Sequence, residues 1–423
     1  MKKFIFKSYS FNKSTNQADF EYSYGGGMNF KESVIFESDD NYSQEALDKA
    51  LFLSFILIGV SYYKTFPSTE VKLEVAIDDS QADFFNTVYQ EGLSQYAYFN
   101  RLNRGDLAHF EASSKKSLKN PVKYIGEGII ALQSGGKDSL LTATLLEKNK
   151  KNFVGWYVSN SESHPMILDD VGADLIVTRR KIDKVGLQKA FEDGAKNGHV
   201  PITYIIKSLA IIQAILLNKK EVLVSIAHEG EEPHAHIGDL AVTHQWSKTW
   251  AAEQLFANYV AKYISADIKI GSPLREYSEL RVAELFVKNC WTDFGHEFSS
   301  CNVANYMQGE DNARLSWCGN CPKCANSYLL FAPFLPASEL KTIFGGHDLF
   351  TKSSLSLTFK GLMGIDGIPK PFECVGEIDE LRLAYHKAVA NGGYEKLPFD
   401  VPQSKFDYKK TYPAQAWATE MIQ

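Results

Sequence analysis

No apolar run in this 423-residue chain is long enough to cross a bilayer. The longest, Leu51 to Val60, falls well short of the ~20 residues that a spanning helix needs, and it reads as a buried helix. No secretory apolar leader is expected, because Lys7 and Ser8 interrupt the apolar residues that follow Met1. There is no excess of positive charge. Lys and Arg number 45 against 51 Asp and Glu, so the formal net charge is −6, which speaks against a broad nucleic-acid surface. Internal repeats and low-complexity tracts are absent. The expectation is a cytoplasmic protein with neither membrane nor nucleic acid as partner. In that compartment the six cysteines are thiols, metal ligands or catalysts rather than disulfides.

What is present is a folded composition, 44% hydrophobic and 23% charged, in a chain long enough for two or three domains. Residues 1–37 alternate polar and apolar positions around Gly25-Gly26-Gly27, the pattern of a small β-meander. Ser43 opens a helix, and Val71, Leu73, Val75 and Ile77 predict a strand over 71–77. A basic, polar stretch over 99–123 marks a boundary. From 125 the rhythm is strand–helix, with strands expected at 128–133, 153–158, 173–178 and 222–227. Helices are expected at 139–149, 165–171, 203–217 and 248–264. That alternation predicts an α/β fold with helices on both faces of a parallel sheet. Three units follow: an α+β N-terminal domain over 1–115, the parallel-sheet domain over 124–335, and a C-terminal extension over 336–423, where the pattern weakens before a helix at 378–390.

The most informative segment is Ser134-Gly135-Gly136-Lys137-Asp138-Ser139, between the first of these strands and its helix. Two glycines let the backbone turn tightly and present N–H groups to an anion, and the helix aims its positive end at the same point. Ser134 and Ser139 add hydroxyls, and Lys137 adds a charge suited to a departing pyrophosphate. Asp138 is placed to position Mg²⁺. The spacing is not that of the Walker A loop. It resembles the PP-loop of the ATP pyrophosphatases, which cleave ATP between the α- and β-phosphates and form adenylates.

Other segments carry chemistry with structural alternatives beside it. Cys318, Cys321 and Cys324 form C-x2-C-x2-C, a candidate zinc site for which Cys301 is the nearest further thiol, with Cys290 and His296 as other options. The alternative is a helix-entry turn. His228-Glu229-Gly230-Glu231-Glu232-Pro233-His234-Ala235-His236 follows a predicted strand. Glu229 there is a candidate Mg²⁺ ligand and His228 a candidate base, against a polar surface loop. In Pro371-Phe372-Glu373-Cys374-Val375-Gly376-Glu377 a thiol stands between two carboxylates; Cys374 is a candidate for proton transfer, or a buried small hydrophobe. Arg275 is the candidate for bidentate binding of a substrate carboxylate or phosphate.

Taken together, these segments resemble one family. They are the N-terminal meander, the 134–139 loop, Gly198 to Pro201, His244 to Lys248, Ser272 to Arg275 with Ser278 to Leu280, Trp317 to Cys324, Ala332 to Phe334, and Pro371 to Glu377. The likeness, across most of the chain, is to the MurL-type UDP-N-acetylmuramoyl-L-alanyl-L-glutamate epimerases of peptidoglycan synthesis. It implies an ATP- and Mg²⁺-dependent isomerase that inverts the terminal L-Glu of a UDP-linked muramoyl dipeptide, releasing AMP and diphosphate. Adenylating the α-carboxylate removes the charge that would oppose carbanion formation. Two groups on opposite faces of Cα then move the proton. Cys374 is the candidate for one, with Glu373 and Glu377 as alternatives, and His228 or His244 for the other. The runner-up is a PP-loop ligase or nucleobase-modifying enzyme similar to 7-cyano-7-deazaguanine synthase; a nucleotide sensor is the third.

Overall fold

The computed structural model describes residues 3–39, 41–161, 163–307 and 313–423. Its spine is one nine-stranded sheet. In chain order the strands are β1 (Phe4–Asn12), β2 (Gln17–Tyr24), β3 (Met28–Ile35), β4 (Val71–Leu73), β5 (Ile129–Leu132), β6 (Phe153–Ser159), β7 (Leu175–Lys181) and β8 (Glu221–Leu223). A separate hairpin, β9 (Ala235–Ile237) and β10 (Leu240–Val242), precedes β11 (Lys269–Gly271). The sheet order is β11-β8-β5-β6-β7-β3-β2-β1-β4, with the run β11 to β7 parallel.

Helices α1 (Gln44–Tyr63), α2 (Asp79–Gln90) and α3 (Ser94–Asn100) belong to the N-terminal part. Helices α4 (Lys137–Lys148), α5 (Lys184–Glu192), α6 (Ile202–Leu216), α7 (Trp250–Tyr259) and α8 (Glu279–Asn289) surround the parallel strands. The short α9 (Trp291–Phe294) is followed by α10 (Pro322–Phe331), α11 (Ala337–Ile343), α12 (Ser356–Leu362) and α13 (Ile378–Asn391).

Alternation along the strands feeds two cores, because successive strand residues face opposite sides of a sheet. Ile130, Trp156 and Val222 join the core built on α1, α6 and α7. Ile129, Ala131, Tyr157 and Leu223 join the one built on α4, α8 and α10. The parallel run is therefore covered on both faces, as such sheets require. β5 has β6 on one side and β8 on the other. The chain thus reverses direction across the sheet at β5, and ligands of open α/β sheets bind at the carboxyl ends of strands beside such a reversal.

The meander does not stand apart from this sheet. β3 pairs antiparallel with β7, and α1 packs on α6. At the seam, Arg180 Nε donates to Glu32 Oε1 at 2.6 Å and Tyr62 Oη to Glu32 Oε2 at 2.7 Å, both pairs buried. Among the described residues one helix, α1, is long and apolar enough to cross a membrane by length and composition, because its flanks extend the Leu51 to Val60 run to 20 helical residues. Its apolar window is 89% buried inside the protein, against β1, β2 and α6.

Several expected elements are shorter. The strand expected at 222–227 stays in the ladder only over 221–223, because Ser272 Oγ then takes Ile226 N–H at 2.9 Å and donates to Ile226 O at 2.7 Å. The helix expected at 165–171 is a single 3₁₀ turn, Met166–Leu168, and the strand expected at 71–77 pairs only over Val71–Leu73. Beyond 335 the glycine-rich sequence hides two helices, α11 and α12, ahead of α13.

Candidate active site

The Ser134–Ser139 loop joins β5 to α4 beside that reversal. Gly135 has φ +74, so the backbone calls for glycine, and a Cβ there would displace the Leu315 side chain, whose Cδ1 lies 2.5 Å away. Gly136 caps α4 without a side-chain hydrogen bond, leaving the first-turn N–H groups for a ligand. Ser139 Oγ accepts Ser134 N–H at 3.2 Å and donates to Gly136 O at 3.2 Å, which holds the loop in shape.

The loop forms one end of a cleft of about 350 Å³. Ser134, Gly136, Asp138 and Ser139 make its polar end, and Trp156, Ile202, Ile206 and Val224 contribute to an apolar wall. Lys248 and Lys323 complete it. Lys137 does not line the cleft. Its buried ammonium lies 2.7 Å from both Asp138 Oδ1 and Glu279 Oε2. Burial disfavours that charge, but the two carboxylates outweigh it and raise the lysine above its ordinary value. Burial, together with Asp138 and Glu229, raises Glu279 against the pull of Lys137.

A second, much smaller cavity, about 20 Å³, gathers the other candidates. His228, Glu229, His234, His244, Glu373, Cys374 and Glu377 line it. Its elements are distant in sequence: the loops after β8 and β10, and the 371–377 segment ahead of α13. Glu377 Oε1 lies 3.5 Å from His228 Nε2, and the His228 ring stacks on Tyr412 at 3.6 Å. His244 Nδ1 pairs with Gln95 Oε1 at 2.7 Å; burial, then His199 and His234, push it down to about 2, so it stays neutral. His199 and His234 are each pushed down to about 4, chiefly by burial.

The two cavities meet at two lysines that were not among the expected site residues. Lys248 Nζ lies 3.2 Å from Glu229 Oε2 and 4.0 Å from Cys374 Sγ. Lys323 Nζ donates to Cys374 O at 2.9 Å. Burial raises the Cys374 thiol, opposed by Lys248 and Lys323 and reinforced by Glu229 and Glu373. Burial also raises Glu373, against Lys323. Lys248 stays charged: burial opposes it, and Cys374, Glu229 and Asp138 more than compensate. The sequence carried a signal for each lysine. One ends the His244–Lys248 segment and the other lies inside the cysteine motif.

Arg275 is not brought to either cavity. It is fully buried, with Nε and Nη2 donating to Glu253 Oε2 at 3.0 and 2.8 Å and Nη1 to Ala227 O at 2.7 Å. Its donors face a carboxylate and a carbonyl inside the protein, where it anchors the loop after β8.

The thiols of Cys301, Cys318, Cys321 and Cys324 do converge, all within 4.8 Å of one another. Cys290 lies elsewhere, its Sγ 3.3 Å from Thr144 Oγ1.

Residues 1–272 match the MurL N-terminal domain, and residues 297–403 match the MurL C-terminal domain. Three curated relatives are each called UDP-N-acetyl-alpha-D-muramoyl-L-alanyl-L-glutamate epimerase. The one from Salinispora tropica is 31% identical, covering 99% of this chain and 91% of its own. The Micromonospora protein is 30% identical over 91% and 86%, and the Xanthomonas oryzae protein 32% identical over 80% and 74%. Among solved structures, diaminopropionate ammonia lyase from Escherichia coli aligns with a TM-score of 0.11 at 14% identity over 48% of this chain and 58% of its own, too weak to bear on the fold. With one family model spanning more than half of the sequence and a relative aligned along nearly all of it, this chain belongs to the MurL epimerase family.

Proposed function

We propose that this protein inverts the terminal L-Glu of UDP-MurNAc-L-Ala-L-Glu to D-Glu for peptidoglycan synthesis, consuming ATP and releasing AMP and diphosphate through an acyl-adenylate. One observation carries the reading. A glycine-loop cleft with an apolar wall and a cavity lined by proton-transfer groups share a boundary at Lys248, Lys323 and Cys374.

In this arrangement the adenine occupies the apolar wall and the phosphates the Ser134–Ser139 loop. With Lys137 committed to Asp138 and Glu279, Lys248 and Lys323 are the cations that meet the departing diphosphate. Asp138 and Glu229 supply carboxylates for Mg²⁺. An ion held by one or two carboxylates takes its remaining ligands from phosphate and water, and it would offset charge on the phosphates. The glutamate α-carboxylate attacks the α-phosphorus at the boundary, and the α-proton then faces the second cavity. Cys374 is the group on one side of Cα. The His228–Glu377 pair and the neutral His244 are the groups for the other. Water finally cleaves the acyl-adenylate.

The test is to incubate protein, ATP, Mg²⁺ and the UDP-linked dipeptide, and to measure AMP, diphosphate and glutamate chirality together. Formation of ADP and phosphate would refute the nucleotide assignment. Cys374→Ser should still form AMP and diphosphate, yet incorporate solvent deuterium at Cα at least ~100-fold more slowly. Normal exchange in that variant would pass the role to Glu373 or Glu377.

A further inference from the structure

We propose that Cys301, Cys318, Cys321 and Cys324 bind one zinc ion, and that this metal knot is a positioning device joining the two halves of the active site. The Cys301–Cys321, Cys318–Cys324 and Cys321–Cys324 sulfur–sulfur distances are 3.7, 3.7 and 3.5 Å. Four thiolates at Zn–S distances of about 2.3 Å stand about 3.8 Å apart, so the cluster has the dimensions of a closed tetrahedral site. The same separations are far too long for disulfides. Two backbone N–H groups already point at sulfur: Ala304 at Cys301 Sγ, 3.4 Å, and Gly319 at Cys324 Sγ, 3.3 Å. Gly319 has φ +63, which brings its N–H round to that sulfur. Such donors stabilise thiolates. On binding, each thiol gives up its proton and the four sulfurs donate their electron pairs to the ion.

The consequence lies in the neighbours of the ligands. Asn302, next to Cys301, donates to Glu373 Oε2 at 3.3 Å. Lys323, between Cys321 and Cys324, donates to Cys374 O at 2.9 Å. Asn326, two residues past Cys324, accepts Gly376 N–H through Oδ1 at 2.9 Å. Three successive anchors of the 373–376 segment therefore hang from the cysteine knot. On its other side, Ser299 N–H reaches Gly135 O at 3.3 Å, and Ser299 Oγ accepts Cys301 N–H at 3.0 Å. The knot thus touches the glycine loop through one hydrogen bond and the proton-transfer segment through three. The 373–376 segment has no regular backbone pairing of its own, so its position depends on these external partners. Calling that segment catalytic rests on the proposed function; the metal and its tethers do not.

Metal analysis of protein purified without chelator should give about one zinc per chain. Replacement by cobalt(II) should give the visible absorption of a tetrahedral tetrathiolate. Zinc below about 0.2 equivalents, with all six thiols reduced, would overturn the site. For the positioning role, amide hydrogen exchange is compared between zinc-loaded and metal-stripped protein. Loss of the tethers should speed exchange in 371–377 at least about fivefold while β6 and α6 keep their protection. Unchanged exchange there would overturn it. If stripping unfolds the whole chain, Asn326→Ala is measured with zinc in place. It removes only the Gly376 tether, and it should keep the metal and still speed exchange in 371–377. Retained protection in that variant would equally sink the claim. Neither measurement uses epimerisation, so a failure of the proposed reaction would leave these results intact.

Discussion

Replacing Lys248 by Met should make the Cys374 thiol markedly harder to ionise. The ammonium lies 4.0 Å from the sulfur. Two unit charges at that distance interact by about 4 kcal/mol at an effective dielectric constant of 20. That is about 3 pKa units if nothing relaxes. Relaxation and water entry reduce the figure, whereas Glu229, freed of its lysine partner at 3.2 Å, adds repulsion in the same direction. A rise of about 2 units is the working value. It acts on a thiol that burial already holds above its ordinary value, so thiolate near neutral pH should fall about 100-fold. The assay is the pH dependence of iodoacetamide alkylation at Cys374, read by mass spectrometry of the peptide containing it. Cys290 is a buried internal control. The expected result is an alkylation midpoint shifted to higher pH in Lys248→Met and a Cys290 rate that does not change. If the Cys374 midpoint moves by less than half a unit, Lys248 does not govern the thiol and the cation at the boundary serves only the phosphates.

Further outcomes follow from the same geometry. Glu380 is buried, accepts Leu280 N–H at 2.7 Å, and is pushed by burial up to about 8 from 4.5. The folded state therefore keeps a proton that the unfolded chain releases. This contribution to stability is fully present below pH 4.5 and is lost as pH rises towards 8; it is worth at most about 5 kcal/mol. Glu380→Gln should flatten the decline in urea stability across that window, and an unchanged slope would show that Glu380 titrates normally. Arg275→Leu leaves Glu253 buried without its partner and should cost about 3–5 kcal/mol in urea unfolding. Unaltered stability with a raised substrate KM would return Arg275 to the binding site. Gly135→Ala should weaken ATP binding at least ~10-fold by calorimetry, because the left-handed backbone costs about 1–3 kcal/mol and the new methyl meets Leu315. Equal affinity would place the nucleotide elsewhere. Tyr98 and Phe99 stay exposed yet contact Phe372, two residues from Cys374. Phe99→Ala should raise KM for the UDP-linked dipeptide about 5–10-fold with kcat held, as the loss of an aromatic face for a sugar ring would; an unchanged KM refutes that contact.

Much of this protein is local enough to read from its residues. Alternating apolar positions give β1 to β3, since a half-buried strand follows a period of two, and short apolar runs such as Ile129 to Leu132 give the parallel strands, which are covered on both faces. The glycines of the 134–139 loop carry their own backbone requirement, and Ser43 carries its cap for α1. The three clustered cysteines announced themselves by spacing, and the fourth, Cys301, by proximity. Tertiary structure decided what depends on partners far along the chain. Sequence cannot tell a lysine aimed at solvent from one buried between two carboxylates, and so Lys137 turned inward to Asp138 and Glu279 while Lys248 and Lys323 took the cleft. Arg275, chosen for its chemistry, met Glu253 22 residues away and was used up inside the fold. The meander's union with the parallel sheet rests on β3 finding β7, a pairing between strands some 150 residues apart in sequence that no local pattern encodes. Residue types and spacings determined which groups were available. The long-range packing determined which charges were neutralised internally and which were left lining the cleft, because desolvation and pairing act through space rather than along the chain.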